Sequence, residues 1–334
     1  MHRGKLVELC PLLLRRSSMR SALVFCFGIA VVMLFCARIL AQDASSTSPV
    51  PSTPVASNPK PIDLKPDASG AVPIEQIREL LRRAEEKDIQ NDKQQRDYTY
   101  VEREERHHLD GHGGVTKIES RTSDILEIYG EQVERLTAKE DKPLSADEAK
   151  KEDEKIQKAI DKRRSESEEA RRKRLAREEK EREDDRKFVL EVADAFNFRL
   201  VGWEVVDGHD TWMLDGEPRP GYEPKSREAK ILTKFKGRIW IDKAEAQWVK
   251  LDITAIDTIS VGFVLARIHK GTRVLVELTQ VNDEVWLPKR VQLHLDARVA
   301  LFKSYDEDVE QMYRNYKKFR TDTKIMVVGG ENKQ

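Results

Sequence analysis

The sequence predicts an α+β protein: a curved antiparallel sheet forming an unclosed half-barrel, with covering helices and an inserted long charged helical arm. The first observation behind this prediction is the alternation of apolar and polar residues with a period of two in many segments after residue 97. The second is that short turn sequences separate these segments, which favours antiparallel pairing. The third is a segment, 145–187, composed mainly of charged residues.

An apolar run precedes the folded part of the chain. Residues 22–37 are almost all apolar, and the residues before them are basic. This order is typical of a signal peptide, here cleaved after Ala41; the alternative is that residues 1–41 remain as an N-terminal anchor. With either outcome we expect an exported, periplasmic protein, and in the second one anchored to the inner membrane by residues 22–41. Residues 42–73 are rich in Pro and Ser and are predicted to form a disordered tether.

Charge and cysteine content exclude several functions for the exported part. Residues 1–41 hold six basic residues and one acidic residue of the 60 of each sign in the chain, so the remainder is mildly acidic. A nucleic-acid-binding protein would present a basic face, and we expect no nucleic-acid partner. All three cysteines lie within residues 1–41, which leaves no thiol for zinc, catalysis or a disulfide in the rest.

The first part of the half-barrel is assigned to residues 74–144. Ile74, Ile77, Leu80 and Leu81 recur at helical spacing, which predicts an amphipathic helix over about 20 residues, 74–93. From residue 98 the period changes to two and predicts strands, with a turn around Gly111. The helix needs an apolar surface, and the sheet supplies one.

The charged helical insertion is assigned to residues 145–187. Ser145 and Glu148 form a capping-box sequence that starts a helix. The segment lacks the sustained apolar seam of a coiled coil. It is interpreted as a solvated, salt-bridged arm or hairpin inserted in a β domain, and alternatively as a surface that docks an envelope protein.

The remainder of the half-barrel is assigned to residues 188–330. Alternation resumes after Phe188, a short helix is predicted over 227–235, and 260–269 with 273–281 is predicted to form a hairpin through Lys270 and Gly271. Because short loops follow each strand, the sheet is predicted to be an antiparallel meander. Such a sheet must cover its apolar face or enclose something, and few helices are available. The resulting hollow suits an acyl chain, and its predicted lining is Val249, Leu251, Ile253, Leu293, Leu295 and Val299.

No catalytic or cofactor motif is present in the sequence. His107, His108 and His112 beside Asp110 are the one group that resembles metal ligands. Adjacent strand residues point to opposite faces, so a polar hairpin tip is favoured over a metal site. We therefore expect no cofactor, no metal and no enzyme activity; the alternative that stays open is a pair of carboxylates distant in sequence.

Six short motifs lie between residues 97 and 319: Asp97–Tyr100, Lys142–Ser145, Phe198–Gly202, Gly237–Asp242 with Gln247–Val249, Glu284–Pro288 and Tyr313–Phe319. Together they resemble a group of exported proteins common in Acidobacteria and similar to outer-membrane lipoprotein-sorting proteins, the Lol-type periplasmic carriers. The resemblance implies an unclosed antiparallel barrel, capped by helices, whose apolar hollow holds the acyl chains of a lipoprotein. It implies no enzyme. The arm 145–187 and the tether depart from the carriers.

The sequence as a whole leads to one expected function and one alternative. The expected function is a non-enzymatic periplasmic protein that binds a lipid acyl chain or a lipoprotein for transfer or sensing. The alternative is a structural or interaction protein of the envelope that uses residues 145–187 as its docking surface.

Overall fold

The computed structural model describes residues 63–129, 131–226, 228–261, 266–299 and 303–318. The predicted signal peptide or anchor, residues 42–62 of the tether and the three cysteines lie outside the described residues. Within the described residues, no helix combines the length and the apolar composition that crossing a bilayer requires.

The described residues contain three α-helices and one short 3-10 helix. They are α1 (Ile74–Gln95), α2 (Ala146–Arg164), α3 (Glu168–Ala195) and the 3-10 helix Glu228–Lys234. The thirteen strands, all members of one sheet, are β1 (Tyr98–Leu109), β2 (Val115–Ile128), β3 (Glu131–Lys139), β4 (Lys142–Pro143), β5 (Phe196–Val206), β6 (His209–Pro218), β7 (Phe235–Asp242), β8 (Trp248–Ala255), β9 (Ile259–Val261), β10 (Ala266–Ile268), β11 (Arg273–Val281), β12 (Val285–Val299) and β13 (Lys303–Lys318).

The sheet is antiparallel and is not closed into a barrel. Its strand order is β4-β3-β2-β1-β13-β12-β11-β8-β7-β6-β5, so the two ends of the path, β4 and β5, are not neighbours. The predicted α+β class, with an open antiparallel sheet and a few helices, is confirmed. The predicted meander is wrong at one place, because β1 pairs with the last strand, β13. Local alternation identifies strands, whereas the partner of a distant strand is set by tertiary packing.

The predicted hairpin 260–269/273–281 is also wrong. β10 pairs with β9 and with the far end of β12, where Ala266 lies opposite Val299. β11 pairs instead with β8 and with the first part of β12. The turn at Gly271 therefore redirects the chain between two positions beside the same long strand.

The β5 end of the sheet is covered by the segment that precedes α1. At β5, the Val72 N–H donates to the Phe198 carbonyl at 2.9 Å, and the Leu200 N–H donates to the Gly70 carbonyl at 2.8 Å. Leu64 and Val72 are buried. Residues 63–73 are therefore ordered, and the prediction of a disordered tether is wrong for them, because this segment satisfies an edge strand that would otherwise expose its backbone groups.

The charged insertion is a pair of helices rather than one rod. Ser145 forms the predicted capping box with Glu148 and starts α2, which ends at Arg164, and Ser167 starts α3. At the connection, Glu166 accepts hydrogen bonds from Arg174 at 3.0 and 3.1 Å. The salt-bridged arm is thus present, and its role in docking a partner stays a prediction.

The arm ends later than predicted. Residues 188–195 were assigned to the sheet, whereas they form the last two turns of α3, and β5 begins at Phe196. Val189, Val192 and Ala193 are buried on one side of the helix. This spacing is that of one helix face. In so short an apolar run, periodicity alone does not distinguish a helix from a strand. The end of α3 packs beside α1 and the 3-10 helix, so it supplies cover for the sheet that the sequence did not reveal.

Candidate functional site

The sheet has one face, here called the inner face, on which the main apolar cluster lies. Ile77 and Leu80 of α1 belong to the same buried cluster as Leu251, Val276 and Val291 of the sheet. The helices therefore pack on this face. Residues in register across neighbouring strands share a face, so the pairing of the strands shows how the inner face is composed.

A row of paired residues crosses the inner face and changes character midway. From β6 to β12 all five members are apolar and buried, and from β13 to β2 the next three are polar. The row runs Leu214, Ile239, Leu251, Val276, Val291, Gln311, Glu104, Arg121. We call the inner-face side chains of β6, β7, β8, β11 and β12 the apolar half, and those of β13, β1, β2 and β3 the charged half.

The six residues predicted to line a hollow all lie in the apolar half. Ile253 on β8 and Leu293 on β12 both lie opposite Val274 of β11, the strand between them. Five of the six are buried, with exposed fractions from 0% for Val249 to 9% for Leu295, and Val299 is half-buried. The structure thus unites them in one apolar surface. Their role in binding a ligand stays a prediction.

Hydrogen bonds near both ends of helix α1 hold it on this surface. Near its C-terminus the Asn91 side chain donates to Gln247 Oε1 at 2.7 Å and accepts the Trp286 backbone N–H at 3.1 Å. Near its N-terminus Arg78 donates to Asp194 of α3 at 2.6 Å. Lys225 and Arg78 hold the pKa of Asp194 below its usual value. Between these contacts α1 packs on the sheet through apolar side chains.

The charged half contains a network of buried and half-buried polar groups. Arg106 donates to Glu307 at 2.7 Å and to Glu104 at 3.1 Å. Gln311 donates to the second oxygen of Glu104 at 3.0 Å, and His108 Nδ1 lies 3.1 Å from Glu307. Charge-assisted hydrogen bonds of this kind offset the cost of removing ionised groups from water. The network keeps this half of the inner face polar.

Glu102 lies in the same half but is not part of that network. Burial, followed by the negative charges of Glu104 and Glu134, raises the pKa of Glu102 to about 8. No hydrogen bond or ion pair reaches its carboxyl within the part of the chain that the structure describes. At neutral pH this carboxyl is therefore mainly protonated.

Three tyrosines stand beside Glu102. The ring of Tyr100 lies 6.0 Å from that of Tyr313 and 5.2 Å from that of Tyr316, measured between centroids. None of their hydroxyls donates to Glu102. The Tyr100 hydroxyl donates to Gln132 at 3.4 Å. The Tyr313 hydroxyl donates to Gln311 at 3.0 Å, and that of Tyr316 to the Pro288 carbonyl at 2.5 Å. Burial raises the pKa of each phenol well above its usual value. The phenols thus stay neutral, and Tyr313 lies directly opposite Glu102 in the pairing of β13 with β1.

The opposite face of the sheet carries ladders of ion pairs. Arg290 pairs with Glu310, Arg273 with Asp252, and His107 with Glu105, at distances of 2.5 to 2.6 Å. Exposed pairs of this kind contribute little to stability and indicate a solvated surface. A ligand with an apolar chain would find its complement on the inner face.

The histidines separate as the strand geometry requires. His107 contacts Glu105 at 2.6 Å, whereas His108 on the other face contacts Glu119 at 3.2 Å. His112 lies in the turn, where its backbone N–H donates to Asp110. In the described part of the chain, no three His, Cys, Asp or Glu side chains are placed to hold a metal ion together.

The charged half was missed by sequence reasoning. The β1 residues from Val101 to Leu109 are polar at almost every position, so alternation could not assign either face to the interior. Only the register with β13, which brings Val309, Gln311 and Tyr313 opposite these residues, shows which face is inner. The one local signal is the alternation of Tyr305, Val309 and Tyr313 with charged residues on β13.

The fold is similar to three solved structures. One is a domain assigned as an outer-membrane lipoprotein-sorting protein, from Vibrio parahaemolyticus, with 13% identity over 73% of this chain and 94% of that chain and a TM-score of 0.31. A DUF1329 family protein from Desulfovibrio piger has 11% identity over 75% and 95%, with a TM-score of 0.27. A LolA superfamily protein from Nitrosomonas europaea has 9% identity over 72% and 93%, with a TM-score of 0.28.

No family model and no curated protein matches the sequence. At these identities the likeness concerns the fold alone, and the Acidobacterial affiliation stays a prediction. Two of the three structures are described as an outer-membrane lipoprotein-sorting protein domain and a LolA superfamily protein, the kind of protein that the sequence resembles.

Proposed function

We propose that this chain is a non-enzymatic periplasmic protein that binds the acyl chain of a lipid or lipoprotein in the apolar half of its inner face. The observation that carries the proposal is the uninterrupted apolar row over five strands, from Leu214 to Val291, whose cover is helical. A second sheet would interlock with these strands over their whole length, whereas the cover here consists of separate helices, of which we propose that α1 is the one displaced.

The proposed mechanism is the exchange of one apolar partner for another. Helix α1 buries Ile77, Leu80 and Leu81 against the sheet. An acyl chain that replaces part of this helix removes a similar area from water, so the exchange is close to balanced. Burial of a few hundred Å² contributes several kcal/mol, at about 25 cal/mol per Å², before the entropic cost of association.

The first test is whether the protein carries lipid from the cell. The full chain would be exported to the periplasm of a bacterium and purified without detergent, and the extracted lipids would be identified by mass spectrometry. A periplasmic protein of unrelated fold provides the background. We expect a phospholipid or acyl species in near-stoichiometric amount; a folded, monodisperse protein at the background level would contradict the proposal.

The second test places the ligand on the inner face. Leu295→Asp introduces a charge at the rim of the apolar half, where the side chain is 9% exposed. Leu275→Asp is the matched control, since Leu275 is half-buried on the opposite face of the adjacent strand. We expect the first substitution to reduce lipid uptake several-fold and the second to leave it unchanged. Equal uptake by both folded variants would remove Leu295 from the site.

A further inference from the structure

Glu102 lies opposite Tyr313 of β13 and Ser123 of β2, and no basic side chain among the described residues is paired with it. The causes that act on its pKa all raise it: burial, then Glu104 on the same strand, then Glu134 on β3. Arg106, further along the same face of the strand, is bonded to Glu104 and Glu307. The charged form of a carboxyl in this position would be stabilised by a cation that comes from outside the chain.

The three tyrosine rings add a second, independent preference. Tyr100 and Tyr313 are buried and Tyr316 is half-buried, and the negative charge of Glu102 acts on the phenol of all three. The face of an aromatic ring attracts ammonium groups, and clusters of aromatic rings with a carboxylate are the usual setting for their recognition. Neutral rings also create the low-polarity surroundings in which a charge pair is strong.

The position of Glu102 relative to the apolar half suits an amphiphile. In the row that crosses the inner face, Val291 is followed by Gln311 and then by Glu104 on the same strand as Glu102. Neighbouring strands are ~4.8 Å apart, so the last apolar residue and β1 are separated by about 10 Å, and the apolar row itself extends over about 19 Å. A chain lying along the row would bring its head to β1.

We propose that the charged half is the headgroup site of this protein and that it selects an amphiphile with an ammonium head, with Glu102 as the specificity-determining residue. The inference rests on the proposed function, since the alkyl chain of the ligand would occupy the apolar half. The carboxylate form of Glu102 pairs with the ammonium, the tyrosine rings flank it, and the proton of the carboxyl is released to solvent on binding.

Three probes with the same alkyl chain test the selection. Dodecyltrimethylammonium, dodecyl sulfate and dodecyl maltoside are titrated into the full-length protein by calorimetry, each below its micelle concentration. We expect the ammonium probe to bind at least tenfold more tightly than the sulfate, with the maltoside between them. Binding of all three with equal affinity would overturn the headgroup site while leaving the proposed function intact, and failure of all three to bind would contradict both.

Two variants assign the selection to Glu102. Glu102→Gln keeps the shape of the protonated carboxyl but removes its charge, so the preference for ammonium over sulfate should fall about tenfold. Glu105→Gln, on the opposite face of the same strand, should keep the preference. Identical preferences in the two variants would remove Glu102 from the site.

The pH profile supplies a further readout. The groups facing Glu102 are Glu104, Glu134 and the three tyrosines, with Arg106 and His108 further along the same face of the strand. The profile is therefore compared with that of Glu102→Gln, which removes the titration of Glu102 and leaves that of His108. Affinity for the ammonium probe should rise with pH up to about 8 and then level off, and a flat profile would contradict the model. A comparison of lysophosphatidylethanolamine with dodecylamine identifies the class of the natural ligand. Tighter binding of lysophosphatidylethanolamine indicates a zwitterionic phospholipid head, whereas tighter binding of dodecylamine indicates a simple amine.

Discussion

Replacing Glu102 by glutamine should make the protein more stable at alkaline pH. In the folded protein the pKa of Glu102 is about 8, raised by burial and by Glu104 and Glu134, against an ordinary value of 4.5. Between these values the folded protein holds a proton that the unfolded chain has released. The native protein therefore loses stability as the pH rises from about 4.5 to about 8, and the loss is complete above 8.

The size of the effect follows from the two pKa values. At ~1.4 kcal/mol per pKa unit, the full effect is roughly 5 kcal/mol, of which about 4 kcal/mol falls between pH 5 and pH 9. Glu102 keeps part of its surface in water, which screens the repulsion, so we expect about 2–4 kcal/mol. For a fold of this size this corresponds to a difference in Tm of roughly 5–15 °C. Glutamine has no proton to lose and escapes this penalty.

The assay compares the pH dependence of unfolding in matched variants. Denaturant unfolding of the native protein, Glu102→Gln and Glu105→Gln would be followed by circular dichroism from pH 5 to pH 9. Hydrogen bonds from His107 and Arg103 lower the pKa of Glu105, so this carboxylate stabilises the native fold above about pH 4.5. Glu105→Gln should therefore be less stable than the native protein in that range. Parallel curves for the native protein and Glu102→Gln would refute the reasoning, because they would show that Glu102 titrates normally in the fold.

Three further substitutions test the fold around the site. Asn91→Ala leaves two buried groups of the sheet without their bonds and should reduce the free energy of unfolding by about 2–4 kcal/mol, whereas the exposed neighbour Gln90→Ala should have little effect in the same urea titration. Gly237→Ala places a Cβ 2.6 Å from the Asp252 carbonyl oxygen and should cost about 1–3 kcal/mol by the same measure; an unchanged midpoint would show that β7 and β8 can separate freely. Ser145→Ala removes the capping box of α2 at a cost of about 1 kcal/mol, visible as faster hydrogen exchange in its first turn, and unaltered exchange would contradict the assigned cap.

The parts of the fold that the sequence predicted are those governed by local periodicity. Helix α1 was predicted within two residues of its bounds, and the residues around Leu251 and Leu293 carry the apolar face that their alternation indicates. The end of α3 was missed because Val189, Val192 and Ala193 fit a buried helix as well as the start of a strand. The pairing of β1 with β13 has no local signal, since it joins residues more than 180 positions apart.

The apolar half of the inner face was predicted from the sequence, and the charged half was not. Apolar residues such as Ile253 and Leu295 were placed on the interior face from their alternation alone. Glu102 and Arg106 were not, because in a strand polar on both sides nothing in the sequence distinguishes the interior face, and the carboxylates beside them include Glu134 on β3 and Glu307 on β13. Their perturbed electrostatics arise from the register of the strands.

The α+β class, the antiparallel strands, the charged arm and the apolar face could be read from local sequence, because the period of apolar residues is a property that each segment carries alone. Tertiary contacts were needed to establish which strands are neighbours, which helices cover the inner face and how its apolar half continues into a charged one. These depend on contacts between segments far apart in the chain, where burial of the same apolar area is compatible with several arrangements and packing selects among them.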